Sequence, residues 1–288
     1  MLQHHRPESG GPFVVRNGAR LLNFCSNDYL GLAADPEVEE GAASYARLYG
    51  AGAGASRLVS GGLTIHEDLE TELATFTGRE AALLFPSGYQ ANTSIIPTLV
   101  DRTGVVLCDR RSHHSILRGA QLSRARLLRF EHNDPEHLEK LITRENGGSG
   151  CVRLIVTESI FSMDGDRAPL AEICDVAERH GALLMVDDAH AIGVWGPTGR
   201  GLAPDHERVD LVLGTFGKAF GASGAFVSST ETLRTHLVNF CGGFIYSTAP
   251  PPPTIGAVTV ALQKVRGGEL QQERYLRRVA EAHKRLAD

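Results

Sequence analysis

The sequence predicts an α/β protein with a mostly parallel central sheet and helices on both faces. From about residue 75 onward, short apolar runs alternate with segments of helical periodicity, which is typical of βαβ units. The runs are rich in Val and Leu and are apolar on both faces, as expected of strands that are covered on both sides. Six runs are predicted to be strands, at 81–85, 104–109, 153–158, 182–187, 211–216 and 224–229.

The segment between the third and fourth predicted strands shows how these strands are connected. Pro169 suits a first helical turn and Gly181 suits the helix end. The apolar positions between them fall on one helical face and are Leu170, Ile173, Val176 and Ala177. We expect a right-handed crossover here.

Three further segments complete the predicted organisation. Residues 145–150, ENGGSG, are predicted to be a loop inside the domain, because strands of the same character lie on both sides. Residues 246–253, YSTAPPPP, are predicted to be a stiffer break in the chain. The last residues, 273–288, have the pattern of a charged amphipathic helix.

Composition excludes some classes of function. The 288 residues are 42% hydrophobic and 22% charged, which is ordinary for one large domain or two smaller ones. The formal net charge of -5, with scattered Lys and Arg, provides no basic field for nucleic acid or an anionic membrane. The sequence therefore favours small-molecule partners.

The cysteines and the N-terminus bear on the compartment. The five cysteines contain no C-x-x-C pair and are widely spaced, so they suggest neither a disulfide framework nor a structural zinc site. Residues 1–13 lack the apolar core of a signal peptide, and no stretch approaches the roughly 20 apolar residues that span a bilayer. We therefore expect a cytoplasmic protein.

Candidate functional residues follow the predicted strands. In open α/β sheets, ligands bind in the crevice beyond the carboxyl ends of the strands, so residues at these ends are expected to lie together. They are Ser87, Gly88, Tyr89, His113, Glu158, Ser162, Asp187, His190, Thr215 and Lys218.

Asp187 and Lys218 together indicate a particular cofactor. A pyridine ring needs a carboxylate to keep its nitrogen protonated, and an aldehyde needs a lysine amine that can hold it as a Schiff base. Pyridoxal phosphate requires both groups. A helix that begins near Ser87 would offer backbone N–H groups and a positive dipole end to the phosphate, and Thr215 could add a hydroxyl.

Each residue alone also has a simpler interpretation. Lys218 could be a solvated loop residue in a glycine-rich turn. Asp187 and Asp188 could cap a helix or bind a metal with His190. Adjacent histidines are usually surface or core features. It is their placement on successive strand ends that favours a shared site.

Six motifs in the sequence carry a family resemblance. They are NDYLG at 27–31, GASRLVSGG at 54–62, FSMDGDRAPL at 161–170, VDDAH at 186–190, TFGKAFG at 215–221 and YSTAPPP at 246–252. Together they resemble the α-oxoamine synthases, which are fold-type-I pyridoxal phosphate enzymes. The resemblance runs from about residue 20 to the end of the chain, with the motifs in family order. It implies a fold-type-I large domain at 46–262, between an N-terminal segment at 1–45 and the start of a small domain at 263–288.

The resemblance implies a role for each site residue. Catalysis would depend on Lys218, His113 and Asp187, with Lys218 holding the cofactor aldehyde, His113 stacked on the ring and Asp187 paired with the ring nitrogen. His190 would contact the ring hydroxyl. The ring and phosphate would be lined by Gly88, Tyr89, Ser162 and Thr215, and Thr248 would reach the phosphate of a neighbouring subunit in a homodimer. Asn27 would lie near the substrate carboxylate, also across the dimer interface.

The resemblance also implies a reaction class. Members condense an amino acid, here expected to be L-alanine, with an acyl thioester of CoA or acyl carrier protein and release CO₂. Glycine and serine are the amino acids used by other members. Members also continue beyond this chain into a domain that carries an arginine for the substrate carboxylate. We therefore expect either a fragment that keeps the cofactor platform or a chain whose missing half comes from a partner.

The sequence raises three other interpretations, of which the second fails. GAGAGA at 50–55 matches the dinucleotide fingerprint of a nicotinamide oxidoreductase, but the preceding residues have a helical rather than a strand pattern. Lys218 does not fit a P-loop, because Val212 replaces the first glycine and Ala219 the Ser or Thr. A non-catalytic dimerisation platform is the third interpretation.

Overall fold

A computed structural model describes residues 6–7, 13–145 and 151–287, and its centre is a sheet of seven strands. The order across this sheet is β4-β10-β9-β8-β7-β5-β6. The bounds are β4 Ala81–Phe85, β5 Val105–Asp109, β6 Arg126–Phe130, β7 Arg153–Glu158, β8 Leu183–Asp187, β9 Leu211–Thr215 and β10 Ala225–Ser229.

Strand direction confirms the mostly parallel sheet, with one exception. β6, β5, β7, β8 and β9 are parallel neighbours, whereas β10 is antiparallel to both β9 and β4. The reason lies in the connection, because β9 reaches β10 through a short loop at 216–224 rather than through a crossover helix. This loop carries Lys218.

Helices cover both faces of the sheet, as predicted. Their bounds are α1 Pro36–Tyr49, α2 Thr64–Thr77, α3 Gly88–Leu99, α4 His114–Ser123, α5 Pro135–Arg144, α6 Leu170–Arg179, α7 Glu231–Phe240, α8 Gly242–Ile245, α9 Pro252–Arg266 and α10 Glu269–Ala287. Short 3-10 turns lie at Leu32–Ala34, Pro197–Gly199 and Ala203–Asp205. Outside the main sheet, β1 Arg6–Pro7, β2 Phe13–Arg16 and β3 Ala19–Leu22 form an antiparallel sheet that the sequence analysis did not predict.

Alternation along the strands separates the core into layers. On β4, Leu83 and Phe85 pack with residues of α3, α4 and α8, while Ala82 and Leu84 pack with α2 and α9 on the opposite face. The second face continues over β5, β7 and β8, where α5 and α6 pack. Burial on both faces explains why the predicted runs are apolar throughout.

Local signals explain where the site-bearing elements begin and end. The side chain of Ser87 accepts a hydrogen bond from the backbone N–H of Gln90, so α3 begins directly after β4. Pro169 stands immediately before α6, and Gly181 follows its end with φ of +56°. The strand β6 was missed because it lies at the edge of the sheet and mixes exposed, half-buried and buried residues instead of forming a continuous apolar run.

The remaining predictions on organisation have mixed outcomes. The final helix is present as α10, and the predicted domain boundaries at 45 and 262 fall within α1 and α9, so the division stays a prediction. Of the predicted loop, residues 146–150 lie outside the described residues. Among the helices that the structure describes, none is long and apolar enough to cross a membrane.

Candidate active site

One cavity of about 210 Å³ lies at the carboxyl ends of the central strands. The end of β8 and the segments that follow β4, β5 and β9 contribute side chains to it, as the topology of an open α/β sheet leads us to expect. The cavity is lined by Asn27, Gly88, Tyr89, Asn92, His113, Ser115, Glu158, Asp187, Ala189, His190, Leu213, Thr215, Gly217 and Lys218.

Lys218 is fixed by the loop that carries it. Phe216 and Phe220, two positions to either side, are buried in the core. Gly221 has φ of +61°, and a Cβ there would lie 2.2 Å from the backbone nitrogen of Ala33, so the loop packs directly on the turn at 32–34. Burial lowers the pKa of the Lys218 ammonium, although Asp187 and Glu158 oppose that shift. A larger fraction of the amine is therefore neutral than in an exposed lysine.

Lys218 begins a chain of hydrogen bonds toward the N-terminal segment. Its Nζ lies 2.9 Å from Nε2 of His190, and Nδ1 of His190 lies 2.7 Å from the hydroxyl of Tyr29. The Tyr29 hydroxyl lies 3.4 Å from Oδ1 of Asn27. Burial, followed by the charges of Lys218 and His113, lowers the pKa of His190 to about 4. His190 is therefore a neutral hydrogen-bonding group at neutral pH.

Asp187 is a buried carboxylate at the end of β8. Its side chain is held from two directions, since Nδ2 of Asn92 lies 2.8 Å from Oδ2 and the backbone N–H of Ala189 donates to Oδ1 at 3.1 Å. The residue is 6% exposed, and no described Lys, Arg or His side chain forms a salt bridge with it. The cavity thus contains a fixed carboxylate without a protein counter-charge in contact.

Glu158 and His113 line the cavity beside this carboxylate. Glu158 pairs with Asp187 in the register of β7 and β8, and its Oε1 accepts the backbone N–H of His113 at 2.6 Å. Burial, reinforced by the charge of Asp187, raises the pKa of Glu158 to about 8. Burial also lowers the pKa of His113. Both groups are therefore biased toward their neutral forms.

The neighbouring Asp188 has a different role from Asp187. It is wholly buried and accepts the backbone N–H groups of Leu202 at 3.0 Å and Ala203 at 3.3 Å. A Cβ at Gly201 would lie 1.8 Å from Oδ2 of Asp188, which explains the glycine. Asp188 thus shapes the loop at 201–203 and does not share a ligand site with His190.

The N-terminus of α3 forms the end of the cavity near Thr215. An added Cβ at Gly88 would lie 3.8 Å from Leu213 and 3.9 Å from Oγ1 of Thr215, so the helix start lies against the end of β9. The first backbone N–H groups of this 12-residue helix and its positive dipole end favour an anion here.

Eight of the residues to which the family resemblance gives a role line this cavity: Asn27, Gly88, Tyr89, His113, Asp187, His190, Thr215 and Lys218. Ser162 and Thr248 are exposed and do not line it. Thr248 forms an isolated β-bridge with Ser56. Asn27 was expected to act across a dimer interface, but it lines the cavity of its own chain. It is held there because Tyr29, two residues later, is hydrogen-bonded to His190.

Sequence reasoning did not assign roles to several residues that contribute to the site. Asn92 and Ser115 lie on helices rather than at strand ends, and Tyr29 lies in the N-terminal segment. Glu158 was grouped with the strand ends but was given no function. One signal was available for Asn92, because it lies four residues after Gly88 and hence on the same helical face.

The dinucleotide interpretation does not fit the structure. GAGAGA at 50–55 follows α1 rather than a strand, and no helix begins within the residues directly after it. The strand–turn–helix setting of that fingerprint is therefore missing.

Comparison with known proteins decides the family. The family model for aminotransferase class I and II matches residues 19–288. The chain belongs to this family. Within the family it is similar to the 8-amino-7-oxononanoate synthase of Anaeromyxobacter sp. (strain K), at 50% identity over 258 residues, covering 88% of this chain and 64% of that protein. The chain spans about two thirds of the length of the curated relatives it matches.

Solved structures of family members agree with the fold. Serine palmitoyltransferase from S. paucimobilis, with a bound PLP–myriocin aldimine, superposes with a TM-score of 0.88 and 33% identity, covering 93% of this chain and 68% of that one. An 8-amino-7-oxononanoate synthase from Francisella tularensis gives a TM-score of 0.73 and 30% identity, covering 87% of this chain and 71% of that one. These relatives place the chain among the α-oxoamine synthases.

Proposed function

We propose that this chain holds pyridoxal phosphate in the cavity and uses it to condense an amino acid with an acyl thioester, with release of CO₂. The amino acid is L-alanine and the acyl group is pimeloyl, carried on CoA or acyl carrier protein, so the product is 8-amino-7-oxononanoate, an intermediate of biotin synthesis. The observation that carries the proposal is that Lys218 and Asp187 line one cavity.

The donor set fits this cofactor at both ends. Lys218 has a buried amine with a lowered pKa, which suits attachment of the cofactor aldehyde. Asp187 is a buried carboxylate in the same cavity and would hold the protonated pyridine nitrogen by a charge-assisted hydrogen bond. When bound, the cofactor supplies an electron sink that stabilises negative charge at the amino acid Cα.

The remaining cofactor groups also have candidate partners. The start of α3, at Gly88 and Tyr89, and the Thr215 hydroxyl would hold the phosphate. His190 would meet the ring hydroxyl, and the His113 imidazole would lie against the ring. Ser162 and Thr248 remain proposed cofactor contacts, with Thr248 acting on the phosphate of a neighbouring subunit.

The chain's own residues can carry the proton transfers. Burial increases the neutral fraction of Lys218, so its Nζ can take a proton from the substrate Cα and return it later. Neutral His190, 2.9 Å away, orients that amine. Apolar residues beside the reacting groups, Leu213 and Ala189, reduce access of water. Asn27 would contact the substrate carboxylate.

The names of the relatives support the choice of substrates. Curated relatives with 48% and 50% sequence identity are called 8-amino-7-oxononanoate synthase, and a solved relative with the same name has the same fold. Serine palmitoyltransferase has the same fold, but its name contains a different amino acid, serine. Amino acid selection is therefore the part of the proposal that most needs a direct test.

Assembly and compartment complete the proposal. We place the active site at the interface of a homodimer, because two segments joined by the Ser56–Thr248 bridge expose large apolar side chains, with Val59 at 80% and Tyr246 at 87%. The described part of the chain would be the large cofactor domain between the proposed boundaries at 45 and 262. All five cysteines are free, as is typical of the reducing cytoplasm.

Cofactor attachment is tested with the purified chain and pyridoxal phosphate. Borohydride reduction followed by peptide mapping is expected to find the cofactor on Lys218, with none in Lys218→Ala. Lys140→Ala, which alters an exposed lysine, is the matched control and should keep the label. Label on other lysines in the unaltered chain, with Lys218 unlabelled, contradicts the proposal.

Substrate choice is tested in a second step on the cofactor-loaded chain. L-alanine, glycine and L-serine are added separately, and the visible spectrum of the cofactor is recorded. The proposal expects the largest change with L-alanine and CO₂ release only when a pimeloyl thioester is also present. A response to glycine or serine in place of alanine would assign another member of the same enzyme group.

A further inference from the structure

The amide of Asn92 joins two parts of the cavity wall. Asn92 is 1% exposed, and its Nδ2 lies 2.8 Å from Oδ2 of Asp187 and 2.9 Å from Oγ of Ser115. Ser115 Oγ in turn lies 2.7 Å from Nδ1 of His113. One continuous set of hydrogen bonds therefore connects the carboxylate of β8 with the histidine at the start of α4.

The direction of each bond in this set follows from the chemistry of the groups. The Asn92 Nδ2 carries two N–H donors and no acceptor, so both of its contacts are donations. Turning the amide over would place its oxygen against an Asp187 carboxylate oxygen, which is unfavourable. Ser115 Oγ thus accepts from Asn92, and its own proton is available for Nδ1 of His113.

The backbone N–H of Ser115 gives independent evidence on the protonation of the same ring nitrogen. The N–H of Ser115 also points to Nδ1 of His113, at 3.3 Å. A backbone N–H can only donate, so Nδ1 must carry a lone pair. Burial lowers the pKa of His113 and favours the neutral ring. A neutral imidazole with an unprotonated Nδ1 carries its proton on Nε2.

We propose that Asn92 is a positioning residue that holds the Asp187 carboxylate in place and, through Ser115, fixes His113 as the tautomer protonated on Nε2. This deepens the proposed function, because Asp187 and His113 are the residues assigned to the two sides of the cofactor ring. The tautomer itself is a property of the chain and does not depend on that assignment. Asn92 contacts neither reacting atoms nor substrate in this account.

Loss of the Asn92 donor changes what Ser115 can do. With Asn92 in place, the Ser115 oxygen is occupied as an acceptor and its proton is directed to His113. Without it, the hydroxyl can rotate and accept from a protonated Nδ1. The preference for the Nε2–H form would then fall by about tenfold in tautomer ratio, which is the effect of one net hydrogen bond.

The test is ¹⁵N NMR of the full chain labelled at histidine and kept free of cofactor, with His113→Gln used to assign the His113 signals. We expect an unprotonated Nδ1 and a protonated Nε2 in the unaltered chain. Asn92→Leu, of similar size but without a donor, and Ser115→Ala should both increase the Nδ1–H form. Thr93→Ala, the next residue on α3, whose hydroxyl bonds only to its own helix backbone, should leave the spectrum unchanged.

Two results would overturn the proposal. A protonated Nδ1 in the unaltered chain contradicts the tautomer, and this measurement needs no variant to fold. A His113 spectrum in folded Asn92→Leu identical to that of the unaltered chain contradicts the role of Asn92. Because no cofactor is present, neither result depends on whether the chain binds pyridoxal phosphate or on what reaction it catalyses.

Discussion

This molecule has two clusters at strand ends that each contain one histidine and two carboxyl groups. The two clusters differ in whether the histidine forms ion pairs with the carboxylates. In the cavity, Glu158 and Asp187 are buried and His113 is partly exposed, and none of the three forms a salt bridge with a cation in the described part of the chain. In the His132 cluster, formed by Asp109, His132, Asn133 and Asp166, the histidine bridges the two carboxylates at 2.9 Å and 2.7 Å.

The two groups also shift the pKa of their histidines in opposite directions. Burial lowers the pKa of His113. At His132, partial burial acts in the same direction, but hydrogen bonds to Asp109 and Asp166 outweigh it and raise the pKa. In the cluster the charged groups pair with one another and hold the loop at 160–167 to the ends of β5 and β6. In the cavity the carboxylate of Asp187 has no such partner among the described residues and remains available to a ligand.

The largest effect is expected on catalysis, from a substitution in the cavity. Asp187→Asn keeps an acceptor for Asn92 but loses the negative charge that we assign to the cofactor ring. We expect kcat/KM to fall by about 10²–10³, as when a preorganised charge-stabilising group is lost. Steady-state CO₂ release measures this. Asp166→Asn in the His132 cluster is the matched control and should change activity far less; nearly full turnover in Asp187→Asn contradicts the assignment.

An intermediate effect is expected on stability in the His132 cluster. His132→Ala leaves the carboxylates of Asp109 and Asp166 without their shared partner, and Asp109 is almost wholly buried. We expect the free energy of unfolding to fall by about 1–3 kcal/mol. Urea denaturation of both proteins measures this, and activity per folded molecule should stay near that of the unaltered chain. A large loss of activity without a loss of stability would remove the contrast between the two groups.

The stability difference between the unaltered chain and His132→Ala depends on pH in a definite direction. His132 has a raised pKa in the folded state, so the folded chain binds the proton more tightly than the unfolded chain. Its contribution is complete below the ordinary histidine pKa of 6.5 and is lost as the pH rises through the folded value. The stability difference between the unaltered chain and His132→Ala should therefore shrink on the alkaline side. A difference that grows with pH would contradict the ion-paired state.

A pH-dependent effect on stability is expected for Glu158→Gln in the cavity. The pKa of Glu158 rises from 4.5 to about 8 on folding, so the unfolded chain loses this proton first as the pH rises. Between these two values the unaltered chain should lose stability relative to Glu158→Gln, and near pH 4.5 and below the two should be similar. Unfolding curves across this range measure the difference. A constant difference would mean that Glu158 does not hold a proton in the folded cavity.

The contrast also explains how far the sequence alone leads. The buried strands were predictable because helices cover both faces, so every position is apolar. The antiparallel direction of β10 could not be predicted, because an apolar run is the same in a parallel and in an antiparallel strand. β6 was missed because the edge position exposes Arg126 and Arg129, and its pattern is therefore mixed.

The site was predictable to the extent that it lies at strand ends. Lys218, Asp187, His190 and His113 follow apolar runs, so topology alone brings them together. Asn92, Ser115 and Tyr29 reach the same cavity from helices and from the N-terminal segment, through contacts distant in sequence. Ser162 was selected for its place after β7 and Thr248 from the family resemblance, and both are exposed in this chain.

The most direct test of the central claim is the protonation state of the cofactor ring when it is attached to Lys218. Pyridoxal phosphate labelled with ¹⁵N at the ring nitrogen is bound to the chain and observed by NMR. The account predicts a protonated nitrogen in the unaltered chain and loss of that proton in Asp187→Asn, with the cofactor still attached to Lys218. An unprotonated nitrogen in the unaltered chain, or one that stays protonated in Asp187→Asn, would contradict it.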